Sequence, residues 1–522
     1  MLSLFKMKII SLNINYSDKY SMAFIEVFAR SYKLILQDMI SVEVLSDICY
    51  ASNDDLSLLD EINDTGHDLL YDDILDAFNE NLGRYPDNSL VSFMDRSYSY
   101  GEGAFIADSL AKRLVDLGVK SQDMVAFFTE SCEDYMFCVL GILSCGGVFV
   151  PLDDKLPDDR VSFILDDADC RVVIVSDETY ERVQNLNINS YILNISNIIN
   201  GEFGVLNHLP VVYGDLACIL YTSGSTGVPK GVKITRKSVL NLSAFYADTY
   251  FFSKDSVYGL FASVGFDACY ESIFASIYVG ACLSVVPDDV KLDMFKLNDY
   301  FINQNITHTF MSTKLGMIFM ETIEDTSLKL LSVGGEKLGL FDYHRDYCLV
   351  DGFGPTETFD FISSINFEDK IDPFSVGFLN YNTKIYVLDD ELRRVPIGAV
   401  GELYIAGYQL ADGYLNRDEE TRYSFVDNPF DDDNDFGVLY RSGDMVRILP
   451  DASLGFVGRR DGQFKIRGNR VELSEVESVI REVNGVVDVT VQTIEKVLIL
   501  NWWRMLFLMR IIVLKRILGL IF

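Results

Sequence analysis

Basic side chains are scarce in this sequence of 522 residues. Lysine and arginine together number 44, against 78 aspartates and glutamates, which gives a formal net charge of −34. Nonspecific binding to nucleic acids depends on clustered cationic side chains that neutralise the phosphate backbone. The composition therefore predicts no nucleic-acid partner, and any nucleotide must be held by a local site.

Paired cysteines and a secretory signal are also missing. The nine cysteines form no Cys-x-x-Cys pair, are odd in number and lie mostly in apolar segments. The first residues reach Asn13, Asn15 and Asp18 before an apolar region with a cleavage site has formed. These absences argue against a zinc site, and they favour a cytoplasmic protein with reduced, buried cysteines.

The sequence does contain enough apolar residues, 49% of the total, for two or three domains with large cores. An amphipathic pattern over residues 22–36 predicts an early helix. Helix-like runs such as 134–143 then alternate with β-branched runs such as 124–128 and 171–176, which predicts βα units around mostly parallel sheets. Between 384 and 457, short strands separated by glycine and proline turns predict a barrel-like β subdomain.

Residues 220–231, Leu-Tyr-Thr-Ser-Gly-Ser-Thr-Gly-Val-Pro-Lys-Gly, combine hydroxyls, glycines and one lysine. Glycines let backbone N–H groups converge on an anion, the hydroxyls add donors, and the lysine adds a mobile positive charge. The candidate phosphate-binding residues are Thr222, Ser223, Gly224, Ser225, Thr226, Gly227 and Lys230. The segment is not a Walker loop, which would open a helix; its apolar and β-branched flanks predict a connection between two strands. A flexible surface loop is the alternative interpretation.

Several further motifs accompany this phosphate segment in a fixed order. They are Tyr-Ser-Tyr-Gly-Glu at 98–102, Cys-Gly-Gly-Val-Phe-Val-Pro-Leu-Asp at 145–153, Gly-Phe-Gly-Pro-Thr-Glu-Thr at 352–358, Tyr-Arg-Ser-Gly-Asp at 440–444 and the basic segment 458–472. As a set, they resemble the amino-acid adenylation domains of nonribosomal peptide synthetases, within the adenylate-forming superfamily. The resemblance implies an α/β fold: a large N-terminal domain of two βα-layered subdomains and a distorted β-barrel, then an incomplete small α+β domain.

The resemblance also implies an ATP site. Phe353 would lie against adenine, Thr356 near the α-phosphate, and Glu357 on Mg²⁺, a hard cation that prefers oxygen ligands. The implied ATP-binding set is Thr222, Ser223, Gly224, Ser225, Thr226, Gly227, Lys230, Gly334, Phe353, Asp444 and Arg459. The implied catalytic residues are Lys230, Thr356 and Glu357, and Asp461 would be the hinge to the small domain. Taken singly, these motifs are also typical of turns, helix caps and a basic strand pair.

An amino-acid pocket is implied by Asp267, in the segment Gly-Phe-Asp-Ala-Cys-Tyr-Glu-Ser at 265–272. By the resemblance its carboxylate pairs with the substrate α-ammonium group; a helix N-cap is the alternative. The implied pocket residues are Asp267, Ala268, Glu271, Phe310, Leu331, Val333, Gly352, Asp360 and Phe361. Because Glu271 and Asp360 add negative charge to an apolar lining, we expect a cationic side chain such as that of lysine or ornithine.

The implied chemistry is activation of the amino acid by ATP and Mg²⁺. The substrate carboxylate would attack the α-phosphorus, which gives an aminoacyl adenylate and pyrophosphate. The acyl group would then pass to the thiol of a phosphopantetheine arm on a separate carrier domain. Carrier and condensation domains of a larger synthetase are therefore the expected partners.

The pattern breaks near the C-terminus. The predicted division is a condensation-domain remnant at 1–57, a linker at 58–90, the AMP-binding core at 91–460, the start of the small domain at 461–495 and an aberrant tail at 496–522. The tail carries five basic residues and no acidic one, and the late Asn-Gly-Lys motif of the family is absent. A shifted reading frame or a degraded end is the favoured explanation, and an interfacial membrane helix is the alternative.

We therefore expect ATP affinity to be retained and the adenylation step to be impaired. One alternative function is a catalytically silent nucleotide-binding or interaction module with a membrane-seeking tail. Another is an acyl-CoA ligase, which Asp267 disfavours.

Overall fold

A computed structural model describes residues 22–40, 42–44, 48–130, 132–200, 214–223, 228–430, 436–460, 464–466, 469–471, 480 and 491. The α-helices of these residues are α1 Met22–Asp38, α2 Asn53–Ile62, α3 Ile74–Arg84, α4 Tyr100–Asp116, α5 Asp134–Ser144, α6 Asp158–Asp167, α7 Asp177–Gln184, α8 Ser196–Ile199, α9 Arg236–Thr249, α10 Asp267–Val279, α11 Met294–Asn303, α12 Thr313–Thr322 and α13 Asp418–Ser424. The predicted early helix is thus α1. The predicted hinge residue Asp461 and the predicted tail at 496–522 lie outside the described residues.

The strands of the first half are β1 Ser89–Phe93, β2 Arg96–Ser99, β3 Met124–Phe128, β4 Val148–Pro151, β5 Val172–Val175, β6 Tyr191–Asn194, β7 Leu216–Thr222, β8 Lys230–Thr235, β9 Val257–Leu260 and β10 Cys282–Val285. Those that follow are β11 His308–Ser312, β12 Leu330–Gly334, β13 Cys348–Phe353, β14 Ser363–Asn366, β15 Ser375–Leu379, β16 Thr383–Leu388, β17 Gly401–Gly407, β18 Phe425–Asp427, β19 Val438–Ile448, β20 Leu454–Arg459, β21 Phe464–Ile466 and β22 Asn469–Val471.

The start of α4 shows how local sequence sets a helix boundary. An apolar helical pattern is visible only from about residue 106, yet α4 begins at Tyr100 because Ser99 is its N-cap. The Ser99 hydroxyl accepts from the N–H of Glu102 at 3.2 Å, and the Glu102 carboxylate accepts from the N–H of Ser99 at 2.8 Å. This capping box satisfies backbone donors that the apolar pattern alone does not reveal.

The first sheet has the order β6-β5-β3-β4-β7-β8. Its neighbouring strands are parallel except for β7 and β8, which pair antiparallel. The phosphate segment joins these last two strands, which confirms the predicted strand-to-strand connection.

The second sheet contains a parallel part followed by an antiparallel part. The order β13-β12-β11-β9-β10-β1 is parallel, and β2 is added antiparallel to β1. On the other side β14, β15, β20, β19, β17 and β16 follow with antiparallel pairing. The strands predicted as a barrel-like subdomain are therefore antiparallel, but β14 and β15 join them to the parallel part in one hydrogen-bonded sheet.

Helices lie between the two sheets and on their outer faces. On β3, Phe127 belongs to a central core shared with the second sheet, whereas Ala126 and Phe128 belong to an outer core with α6 and α7. On β12, Leu330 faces the same central core, and Leu331 faces a separate outer core with α11 and α12. Since successive strand residues point to opposite faces, both sheets are buried on two sides.

The cysteines agree with the sequence-based expectation. All nine lie in the described residues and are free, and six of them are buried. Among the helices of the described part of the chain, none is long and apolar enough to span a membrane.

Candidate active site

The two strands that flank the phosphate segment bring its described ends together. Thr222 is the last residue of β7, Lys230 is the first residue of β8, and the two are paired in register. The Thr222 hydroxyl oxygen is buried and finds no hydrogen-bond partner among the described residues. Ser223 is half-buried beside it, whereas the candidates Gly224, Ser225, Thr226 and Gly227 lie outside the described residues.

Lys230 meets two residues from distant parts of the chain. Its Nζ lies 3.2 Å from Oε1 of Glu357 and 4.0 Å from the ring centroid of Tyr414. The Tyr414 hydroxyl donates a hydrogen bond of 2.8 Å to the same Oε1. The Glu357 side chain is fully buried, so the nearby cation and the phenol donor compensate the loss of water around its carboxylate.

Tyr414 was missed as a site residue in the sequence analysis. The segment Leu-Ala-Asp-Gly-Tyr-Leu at 410–415 carries no chemical signature by itself, and its pattern indicates only structure. Backbone bonds align this segment with β8: the N–H of Leu415 donates to the carbonyl of Gly231 at 2.8 Å, and that of Lys233 donates to Gly413 at 3.0 Å. This backbone pairing of the segment with β8 places the Tyr414 ring next to Lys230.

Glu357 stands on a tight turn that runs from Gly354 to Phe361. Thr356–Thr358 form one turn of 3-10 helix, in which Thr356 is half-buried. The next two residues, Phe359 and Asp360, are left-handed, with φ of +47° and +70°. Left-handed conformations are unfavourable for residues other than glycine, so the surrounding structure must impose this turn.

Gly354 is required for the same turn. A Cβ atom at this position would lie 1.9 Å from the carbonyl oxygen of Asp360. Only glycine allows such a close approach of two backbone segments. The glycine of the Gly-Pro-Thr-Glu motif is therefore required on steric grounds, because the Asp360 carbonyl leaves no room for a side chain.

The predicted ribose-binding residues lie together on the antiparallel part of the second sheet. Asp444 on β19 pairs in register with Arg459 on β20, and Nη1 of Arg459 lies 2.7 Å from Oδ1 of Asp444. Both side chains are largely buried. Phe353 on β13, the candidate adenine contact, packs against Phe456, which lies on β20 with Arg459. The two ring centroids are 5.5 Å apart. Asp461 lies outside the described residues.

Asp267 is the first residue of α10 and is half-exposed. The N-cap residue is Phe266, so the alternative of an Asp267 N-cap does not hold. Its Oδ1 accepts a hydrogen bond of 3.0 Å from the N–H of Ala268. The Asp267 carboxylate therefore lies at the N-terminal, positive end of the α10 dipole.

One turn further along α10, Glu271 is buried. Its Oε1 accepts a hydrogen bond of 3.1 Å from the Tyr258 hydroxyl. The pKa of Glu271 is raised to about 7: burial is the main cause and the charge of Asp267 adds to the rise, whereas hydrogen bonds with Asp360 and Tyr258 oppose it. Glu271 and Asp360 thus form a pair of interacting carboxyl groups.

Strand alternation corrects two of the candidate pocket residues. On β12, Leu331 and Val333 belong to the outer core, and Val333 packs against Gly316 of α12. Ser332 alternates with them and faces the same side as Leu330, which belongs to the central core that also contains Tyr258. On the side of the sheet where Glu271 lies, β12 therefore presents Ser332 rather than Leu331 or Val333. Successive residues of a strand point to opposite faces, so a shift of one residue changes the face.

The remaining candidates lie on the Ser332 side of the sheet. Phe310 on β11 pairs in register with Ser332, and its ring lies 3.3 Å from the position of a Cβ on Gly334. Gly352 pairs in register with Gly334, and a Cβ there would lie 3.3 Å from Cγ of Phe361. Ala268 and Phe361 are both buried. Most of the predicted pocket residues are thus brought together on one face.

Comparison with known proteins identifies relatives of this chain. The family of AMP-binding enzymes matches residues 78–415. Bacitracin synthase 1 of Bacillus licheniformis is 34% identical over 401 residues, which cover 77% of this chain and 8% of that protein. Surfactin synthase subunit 2 of Bacillus subtilis is 34% identical over 424 residues, 80% of this chain and 12% of that protein. The chain therefore spans a small fraction of the length of these curated relatives.

Solved structures give a similar result. The four-domain nonribosomal peptide synthetase AB3403, bound to AMP and glycine, has a TM-score of 0.72 and 27% identity, and covers 91% of this chain and 36% of its own. NpsA-ThdA, an artificially fused adenylation and PCP di-domain from Klebsiella oxytoca, has a TM-score of 0.72 and 25% identity. The match covers 82% of this chain and 87% of the di-domain. The α/β class predicted from the sequence is confirmed.

Proposed function

Because the chain belongs to the AMP-binding enzyme family, we propose that it activates an amino acid as its aminoacyl adenylate, at the expense of ATP. The observation that carries this proposal is the buried cluster of Lys230, Glu357 and Tyr414. The cluster joins the end of the phosphate segment to the turn of the Gly-Pro-Thr-Glu motif. The relatives and solved structures support the same activity, since they are peptide synthetases and adenylation domains.

In the proposed reaction, an oxygen of the amino-acid carboxylate forms a bond to the α-phosphorus of ATP. The bond between this phosphorus and the bridging oxygen breaks, and pyrophosphate leaves with the bonding electron pair. Both reactants are anions, so the site must compensate their repulsion and hold them in line. Lys230 and the hydroxyls of Thr222 and Ser223 would bind the phosphates, and Thr356 would lie near the α-phosphate.

Glu357 is the residue that would hold Mg²⁺, which when bound neutralises part of the charge on the phosphates. One carboxylate fits this ion, since Mg²⁺ commonly takes one or two protein carboxylates together with substrate phosphates. Within the described residues, no group of three or more histidine, cysteine or acidic side chains could hold a metal. The other ligands of the ion at Glu357 would be substrate phosphates.

Phe353, Gly334, Asp444 and Arg459 would bind the nucleoside. The Asp444 carboxylate, which lies 2.7 Å from Arg459, is a hydrogen-bond acceptor of the kind that ribose hydroxyls require. Phe353 offers a half-buried aromatic face for the adenine.

The amino acid would bind through three carboxyl groups. Asp267 would pair with the α-ammonium group, and the pair of Glu271 and Asp360 would receive a cationic side chain such as that of lysine or ornithine. Binding of the cation would lower the raised pKa of Glu271, because an opposite charge lowers a carboxyl pKa. Transfer to a phosphopantetheine thiol on a carrier domain, within a synthetase that also has condensation domains, would follow.

Nucleotide binding tests the first part of the proposal. Isothermal titration of the full chain with ATP and Mg²⁺ should show saturable binding, and Glu357→Gln should weaken it. Lys370→Met is the matched control, because Lys370 and Asp351 form another buried ion pair, at 2.5 Å, on the opposite face of the sheet. Lack of binding by the unaltered chain would overturn the proposed function.

Pyrophosphate exchange tests the amino acid. Exchange with lysine or ornithine should exceed exchange with leucine or phenylalanine. The opposite preference would contradict the cationic pocket while leaving ATP binding in place.

A further inference from the structure

Three buried side-chain amides form a chain of hydrogen bonds behind the turn that carries Glu357. Nδ2 of Asn382 donates to Oδ1 of Asn241 at 2.9 Å, and Nδ2 of Asn241 donates to Oε1 of Gln409 at 2.8 Å. Asn241 and Gln409 have no exposed surface. None of the three belongs to the motifs that indicated the ATP site.

The contacts of the chain fix the direction of every amide. Asn382 accepts from the N–H of His67 and donates to its carbonyl, both at 2.9 Å, so its orientation is set by backbone. Asn241 also donates to the carbonyl of Tyr381 at 2.7 Å, so its oxygen must face Asn382. Gln409 must then turn its oxygen to Asn241 and its NH₂ group the other way.

The NH₂ group of Gln409 faces the strained turn. Its Nε2 lies 3.3 Å from the carbonyl oxygen of Thr358 and 3.4 Å from those of Phe359 and Phe361. These three carbonyls converge because Phe359 and Asp360 are left-handed. A buried donor at the centre of three carbonyls stabilises this arrangement, and without it the carbonyls would be buried with fewer partners.

The same turn carries groups from both halves of the proposed site. Glu357 precedes the left-handed residues, and Asp360 is the second of them. The segment that contains Gln409 also reaches Glu357 directly, since the N–H of Ala411 donates to the Glu357 carbonyl at 2.9 Å. A change in the turn would therefore displace the carboxylates of Glu357 and Asp360 together.

We propose that Gln409 is a positioning residue, which holds the turn 356–361 in the conformation that Mg²⁺–ATP binding requires, and that Asn241 and Asn382 orient it. This inference rests on the proposed function, because it gives Gln409 a role in that site. Gln409 itself touches no reacting group.

The experiment compares Gln409→Met with a matched control elsewhere. Methionine keeps the side-chain length but has no amide. In Asn298→Leu a buried amide that donates to the Asp325 carbonyl at 2.8 Å is lost from α11, away from the site. For each full-length variant, the thermal midpoint, the dissociation constant for ATP with Mg²⁺ and the hydrogen exchange of residues 355–362 are measured.

We expect Gln409→Met to weaken ATP binding about tenfold and to raise exchange of residues 355–362 by a similar factor. Asn298→Leu should lower the thermal midpoint with neither effect. If Gln409→Met does not fold, Gln409→Glu keeps the volume and the acceptor for Asn241, and the same two changes are expected. A lower midpoint with unchanged binding and unchanged exchange would reduce Gln409 to an ordinary core residue and overturn the inference.

The two proposals can fail separately. If the unaltered chain does not bind ATP, the proposed function fails, and hydrogen exchange alone then decides the role of Gln409 in holding the turn. If the unaltered chain binds ATP and the Gln409 variants bind equally well, only the positioning role fails.

Discussion

Removal of Lys230 should destabilise the protein as well as abolish tight nucleotide binding. The Lys230 side chain is 11% exposed and that of Glu357 is fully buried. In Lys230→Met the carboxylate would keep the 2.8 Å hydrogen bond from Tyr414 but lose its cation. Breaking a buried ion pair on one side destabilises a protein by about 3–5 kcal/mol. Because Tyr414 remains and Lys230 is slightly exposed, we expect the lower end, about 3 kcal/mol.

The double variant Lys230→Met, Glu357→Gln isolates the cause. The neutral amide at position 357 can remain hydrogen-bonded to Tyr414 and leaves no unpaired buried charge. We therefore expect the free energy of unfolding of the double variant to be about 2 kcal/mol higher than that of Lys230→Met. Equilibrium urea denaturation measures both values, and Lys370→Met gives the scale for another buried pair. The reasoning is refuted if Lys230→Met unfolds within about 0.5 kcal/mol of the unaltered chain, which is the size of an ordinary surface effect.

Three further predictions concern single positions. The pKa of Glu271 is raised to about 7 in the folded protein, so the native state binds more protons than the unfolded state between the ordinary carboxyl range and pH 7. Stability should fall as pH rises through that window, and Glu271→Gln should flatten the profile measured by denaturation. Tyr414→Phe keeps the ring under the lysine but removes a hydrogen bond to the Glu357 carboxylate; it should lower the free energy of unfolding by about 1.5–3 kcal/mol, and an unchanged urea midpoint would contradict the contact. Gly354→Ala places a Cβ against the Asp360 carbonyl and should destabilise by about 1–3 kcal/mol with weaker ATP binding, whereas full ATP affinity would show that the turn can relax.

The order of strands and helices was largely predictable because it depends on local patterns. The βα alternation and the strand-to-strand position of the phosphate segment follow from apolar periodicity and glycine content. The boundary of α4 also has a local signal, the capping box at Ser99 and Glu102. Such features need only a few neighbouring residues to be read correctly.

The site could be predicted only in part, since it depends on long-range placement. Leu331 and Val333 were assigned to the pocket, but a single step along β12 puts Ser332 there instead. Tyr414 reaches Lys230 through backbone pairing that no local pattern announces. The left-handed conformation of Phe359 likewise has no signal in its residue type, because the buried contacts around it impose that conformation.

Helix α10 has a consequence for substitutions in the proposed amino-acid pocket. Every residue from Ala268 to Ile277 is buried, because the helix lies in the layer shared by both sheets. A helix that is enclosed all round cannot accept a larger or smaller side chain without disturbing a core. Redesign at Glu271 should therefore carry a stability penalty, because a new side chain there has to fit among neighbours that are themselves buried.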